Sequence, residues 1–280
     1  MSLLGLGRPR LTTLAAPGYI DRLLITFYCM RLLRSSLLFL LGLTGIASSD
    51  AESVAVAVAA NFYAPMDALV QDFEIRTDHD VMLISGSTGS LYAQIVNGAP
   101  YDVFIAADAR RPALLATSGL GVVQSQITVA LGQLVLWTAD RDLIDGRDLS
   151  LLRDSGIRFL AIANPDLAPY GEAARQALVA MNLWERWASR LVYGENVAQA
   201  YAMVATGNAE FGLIARSQIS GEVGQSGYLL VPQTLYEPIR QDAILLERGA
   251  GNTAAITLLE FLSTAEARTV IRKFGYRLAD

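Results

Sequence analysis

Four stretches of this sequence gather amide and hydroxyl donors beside glycine or proline, with almost no charge among them. They are Ala60-Asn61-Phe-Tyr-Ala-Pro65, Ser85-Gly-Ser-Thr-Gly-Ser90, Asn164-Pro-Asp-Leu-Ala-Pro-Tyr-Gly171 and Gly194-Glu-Asn196-Val197. Each follows an apolar, β-rich run and opens a helical pattern. The first turn of a helix has backbone N–H groups without internal acceptors and a partial positive charge, so such ends attract anions. Four of them converging on one cleft would hold a small dianion without lysine or arginine. A hydrogen bond to a charged partner contributes about 1.5–3 kcal/mol. Six or seven give a gross of roughly 10–20 kcal/mol before the cost of association, enough for micromolar to nanomolar affinity.

Taken singly, these residues have plainer roles. Asn61 and Asn196 read as ordinary N-caps, and Tyr170 as a core or rim aromatic. The Gly-Ser-Thr-Gly loop reads as a tight turn. It is no phosphate-binding P-loop, since no Gly-Lys-Ser/Thr follows. Asp108, Arg110 and Arg111 read as a solvated helix start, outside any site.

The other chemistry-bearing residues are scarce. His79 is the single histidine and Cys29 the single cysteine, which opposes a zinc enzyme, an internal disulfide or a Ser-His-Asp hydrolase. A hydrolase built on Ser87 would need His79 as its base, and His79 sits in the polar turn Arg76-Thr-Asp-His-Asp80 with no orienting partner in view. It is assigned no function. With charged residues at 18% and a net charge of −5, nucleic acid is not an expected partner.

The elements that must carry the four stretches follow from hydrophobic period. Val54–Ala60, Val81–Ile84 and Asp102–Ala107 read as strands, alternating with helices over Ala64–Glu74, Leu91–Val96 and Pro112–Thr117. A second series begins in Gln133–Thr138 and continues through strands at Phe159–Ala163, Arg190–Tyr193 and Phe211–Ile214. Its helices are Gly171–Leu183 and Val197–Thr206. The strand Asp242–Leu246 and helices over Ala254–Leu262 and Ala265–Phe274 close the chain. Alternation of strand and helix predicts an α/β protein of two lobes, each a mostly parallel sheet flanked by helices. Ligands of such sheets bind beyond the carboxyl ends of the strands, where the four stretches lie.

Read together and in order, the stretches Ala59–Met66, Ser85–Asp108 and Asn164–Gly171, continued by Tyr236-Glu-Pro-Ile239 and Lys273-Phe-Gly-Tyr276, resemble the periplasmic molybdate-binding proteins of ABC importers. The likeness spans residues 53–278. It implies a type II periplasmic binding-protein fold with the ligand between the lobes and two crossings, near Thr128–Leu131 and Leu235–Arg240. It further implies that molybdate, and with it tungstate, is held by Ala60, Asn61, Ser87, Thr88, Tyr170 and the backbone N–H of Val197. No cofactor, catalysis or direct side-chain metal ligand is implied. Many members have serine at the place of Asn61, whose amide can still donate. A tyrosine that supplies a hydroxyl in other members is replaced by Ala215, and Tyr170 is expected to supply that hydroxyl instead.

A donor-only site favours a fully deprotonated dianion over protonated phosphate, because a buried O–H would find no acceptor. Another oxyanion, such as sulfate or phosphate, on the same fold is the alternative. The expected partner is the membrane permease of the importer, and the expected state a monomer. A transcriptional sensor is opposed by the absence of a helix-turn-helix or basic region.

Arg31 and Arg34, the apolar run Leu37–Ile46 and the small residues Ala47–Ala51 have the layout of a secretory signal peptide. The apolar run is about half the roughly 20 residues a bilayer requires. Cleavage is expected after Ser49 or Ala51, giving a periplasmic protein, and Met30 is the expected start of translation. Residues 1–51 are therefore read as upstream extension and signal peptide, 52–130 as the first part of lobe 1, 131–234 as lobe 2, and 235–280 as the return to lobe 1. Loss of 1–51 removes five arginines, two aspartates and Cys29, leaving a net charge of −8 and no thiol.

Overall fold

A computed structural model of the chain describes residues 51–154, 156–219 and 227–278, all within the unit Ala51–Asp280. The expected leader, its cleavage site and Met30 lie outside the described residues.

The first sheet has the order β2-β1-β3-β10-β4, formed by β1 (Ser53–Ala59), β2 (Asp80–Gly86), β3 (Val103–Ala106), β4 (Ile127–Gly132) and β10 (Ile239–Leu245). β1 lies parallel to β2 and β3, with Ala57 opposite Ile84 and Phe104. Both faces are covered. Val54, Val56 and Val58 turn to one side, against Met66, Leu69 and Phe73 of α1 (Tyr63–Thr77) and against α7 (Thr253–Phe261) and α8 (Ala265–Lys273). Ala57, Phe104 and Ile244 turn to the other, against Leu91 and Ile95 of α2 (Thr88–Val96) and Leu115 of α3 (Arg110–Thr117). Two-sided burial is what the near-continuous apolar strands demand.

The second sheet repeats the plan as β7-β6-β8-β5-β9. Its strands are β5 (Leu134–Trp137), β6 (Leu160–Ala163), β7 (Leu191–Gly194), β8 (Phe211–Ala215) and β9 (Tyr228–Leu230), with α4 (Pro169–Ala180), α5 (Trp184–Trp187) and α6 (Val197–Ala205). In each sheet four strands point the same way and one is reversed: β10 runs antiparallel between β3 and β4, and β5 antiparallel between β8 and β9. The sheets are mostly parallel, as the sequence pattern suggested, each with one reversed strand. β4 and β9 were not visible as separate strands.

Thr128–Leu131, the expected first crossing, lies inside β4, which pairs with β10 as far as Gly132 opposite Ile239. The chain changes sheets at Gln133 alone, since β5 starts at Leu134. Gly132-Gln133 interrupts the apolar run from Ile127 to Trp137 at that point, where the sequence pattern also begins its second series. The return crossing occupies the residues between Leu230 and Ile239. There the Tyr236 hydroxyl accepts from the Leu134 N–H at 3.1 Å, tying the two crossings together.

Candidate functional site

The carboxyl ends of β1, β2, β6 and β7 meet between the two sheets. A small cavity there is lined by Ala59, Ala60, Asn61, Gly86, Ser87, Thr88, Ala168, Pro169, Tyr170, Asn196 and Val197. All six residues expected at the site are on that wall, and none of the lining residues is charged. The cavity volume is about 10 Å³, near the roughly 10–15 Å³ that admits a single water-sized sphere. That is the scale of a group of a few atoms and is too small for a sugar.

Each wall is a helix start. Ser87 caps α2, its hydroxyl accepting from the Ser90 N–H at 3.2 Å and donating to the Ser90 hydroxyl at 2.7 Å. Thr88 follows with its oxygen accepting from the Ala107 N–H at 3.0 Å, which leaves its proton to donate. Asn196 caps α6 by accepting from the N–H groups of Ala198 and Gln199 at 3.0 and 3.1 Å. The Val197 N–H, at the first position of that helix, has no acceptor within it. α4 opens with Pro169, which lacks an N–H.

Tyr170 follows Pro169 and is buried. Its hydroxyl and the Trp137 indole N–H are the buried side-chain polar atoms without a partner among the described residues. A buried polar atom left so is uncommon, and its residue lines the cavity. The hydroxyl reaches the crossing at Gly132, where any Cβ would overlap it. Burial, with the nearby Tyr276 adding to it, raises the Tyr170 phenol well above its ordinary range. It therefore stays an O–H donor.

Asn61 does not behave as its sequence position suggested. It is no N-cap: the 3₁₀ turn Ala60–Phe62 that leads into α1 has no side-chain cap. Nor is its amide free to donate. Nδ2 donates to Gln241 Oε1 at 2.6 Å and to the Tyr276 hydroxyl at 2.9 Å, so both amide protons are taken and the backbone N–H, in the first turn of its 3₁₀ segment, is the donor that remains. Ala215 ends β8, and the 3₁₀ turn Arg216–Ile219 follows it.

His79 is buried rather than in an open polar turn. Its Nδ1 accepts from the Glu52 N–H at 3.2 Å and its ring stacks on Phe73. It precedes β2 and Ser87 follows it, so seven strand residues separate them, roughly 23 Å. No Ser-His pair can form.

Asp108 and Arg111 form an ion pair at 2.5 Å, and Arg111 also donates to the Asp166 carbonyl oxygen at 3.4 Å. This corrects the solvated helix start: Arg111 joins the two sheets' loops. The same residues line a larger open groove beside the cavity, with Arg110, Glu172 and Arg175. Its mixed charges give it no donor set of one kind.

The family model for bacterial extracellular solute-binding proteins matches residues 54–277. The molybdate-binding protein ModA of Azotobacter vinelandii is 46% identical over 240 residues, covering 85% of this chain and 94% of that protein. The molybdate-binding protein ModA of Rhodobacter capsulatus is 44% identical over 226 residues, covering 81% and 88%. Among solved structures, the periplasmic molybdate-binding protein of Azotobacter vinelandii superposes with a TM-score of 0.78 at 35% identity, covering 81% of this chain and all of that one.

Proposed function

This chain belongs to the bacterial extracellular solute-binding proteins and, within them, to the molybdate-binding proteins; from that premise we propose that it binds molybdate, and with it tungstate, outside the cytoplasm and delivers it to the membrane permease of an ABC importer. It acts as a periplasmic carrier, exported by its leader, and not as an enzyme. Ala60, Asn61, Ser87, Thr88, Tyr170 and Val197 hold the oxyanion. The single observation that carries this reading is the small cavity lined by helix starts and by no charged side chain.

The chemistry follows from the donors. The Thr88 and Tyr170 hydroxyls and the first-turn N–H groups all point protons at the ion and offer it no strong acceptor. A dianion satisfies every one of them, whereas a protonated oxyanion brings an O–H with nowhere to donate. Size then separates the larger oxyanions from sulfate, because a fixed ring of donors suits one radius. Closure of the two lobes buries the ion, and the closed surface is what the permease reads.

Isothermal titration of the purified protein, stripped of bound anion, tests this. Molybdate and tungstate should bind one to one and tightly, with sulfate and phosphate silent. Binding of sulfate or phosphate instead would keep the donor site and overturn the ligand. Silence with all four would overturn the site.

A further inference from the structure

Three side chains that do not line the cavity converge on Asn61, which does. Gln241 is fully buried on β10 and fixes its own amide by donating from Nε2 to the Ile239 carbonyl at 3.1 Å. Its Oε1 is thereby left to accept, and it does so from Asn61 Nδ2 at 2.6 Å. Tyr276, near the end of the chain, accepts from the same Nδ2 at 2.9 Å and donates to the Asn61 carbonyl at 2.8 Å. Ser217, which follows β8 of the second sheet, donates to that carbonyl as well, at 2.8 Å. Its neighbour Gln218 donates to the Ala60 carbonyl at 3.3 Å.

The last contact bears directly on the ion. The Ala60 carbonyl and the Asn61 N–H belong to one rigid, planar, trans peptide group and point opposite ways. Holding one holds the other. The Tyr276 ring is itself fixed edge-on against Phe62, with centroids 5.2 Å apart.

We propose that Gln241, Tyr276, Ser217 and Gln218 are positioning residues for the anion site: the first three grip Asn61 by its carboxamide and its own carbonyl, Gln218 holds the preceding peptide group that carries its N–H, and so the side chain serves as an anchor and the backbone N–H is the group presented to the ion. The statement about the ion rests on the molybdate reading; the grip itself does not. Because Ser217 comes from the second sheet and Gln241 and Tyr276 from beside the first, the donor is set only where the two lobes meet. The polar network also explains why a residue with two amide protons stands here. A serine could reach one of these partners but not both.

The test is a set of variants read in two ways. Tyr276→Phe keeps the ring against Phe62 and removes only the hydroxyl. Molybdate affinity should fall about ten-fold, in keeping with one or two buried hydrogen bonds. Backbone amide exchange at Asn61 in the ion-free protein should accelerate by a similar factor. Adding Asn61→Ala should cost no further affinity beyond the worse single variant, since both act through one residue. Ser217→Ala provides the same readings if Tyr276→Phe does not fold. Unchanged exchange at Asn61, or strictly additive losses in the double variant, would overturn the proposal. If the wild type binds no molybdate, the ligand assignment fails, and exchange in the ion-free protein still decides the grip.

Discussion

Tyr170 is where a single atom does most to define the site. Its ring belongs to a residue of the cavity wall, and its hydroxyl makes no hydrogen bond of ordinary geometry among the described residues, interacts with the nearby Tyr276 hydroxyl, and is kept protonated by burial. Tyr170→Phe should weaken molybdate binding by about 1.5–3 kcal/mol, the scale of a hydrogen bond to a charged group, while leaving thermal stability of the ion-free protein intact or improved. Thr88→Ala should cost a similar amount in affinity. Paired titration and melting curves check both, and wild-type affinity in the two variants would remove these residues from the site. At this scale the sequence was half legible. Residue type and order pointed to side chains that one cavity gathers. The direction of each side chain was not legible: Asn61 looked like a donor or a cap, and only the distant Gln241 and Tyr276 make it neither. Partners 180 and 215 residues away leave no local signal.

At the scale of elements, α2 approaches the loop before α4 so closely that a glycine is required. The Gly89 N–H donates across the cleft to the Leu167 carbonyl at 2.8 Å, and a Cβ on Gly89 would lie 2.8 Å from that oxygen. One helix end therefore divides its donors, Thr88 toward the cavity and Gly89 toward the opposite lobe. Gly89→Ala should hold the lobes apart, and its effect should fall on release more than on capture, as affinity changes at one interface usually do. Stopped-flow measurement should show dissociation faster by about ten-fold or more with association little altered. An unchanged dissociation rate would mean that closure does not depend on this contact. Strands and helices with strong periodicity could be read along the chain to within a few residues. The start of the second series at Gln133 was legible; that the residues just before it form a strand of the first sheet, β4, was not.

For the molecule as a whole, the buried phenols set an alkaline limit. Burial raises both Tyr170 and Tyr276 above the ordinary value of 10.0. Below that value folded and unfolded chains are equally protonated and the stabilisation is complete. Above it the unfolded chain loses these protons first, so stability falls as pH rises toward the folded values, by about 1.4 kcal/mol per pH unit for each tyrosine. Denaturant midpoints measured from pH 8 to pH 11 should decline only above about pH 10, and Tyr276→Phe should flatten the decline. A midpoint already falling near neutrality would point to other groups. The two-lobed α/β plan was legible from alternating strand and helix patterns. The reversed strand in each sheet was not, since pairing direction is decided by where a returning strand can fit rather than by its own residues.

One such return governs when the protein can exist. β10 lies between β3 and β4, bonded to both, yet it is encoded more than a hundred residues after β4. A ribosome that has made the first four strands has made a sheet with its middle missing. The first lobe stays incomplete until the second has been synthesised in full and residues 239–245 have emerged. Such long-range pairing is slow to form, and slowness here has a use. Under the export proposed above, the chain would remain a thread until its last fifth is made and take its folded shape only after passage.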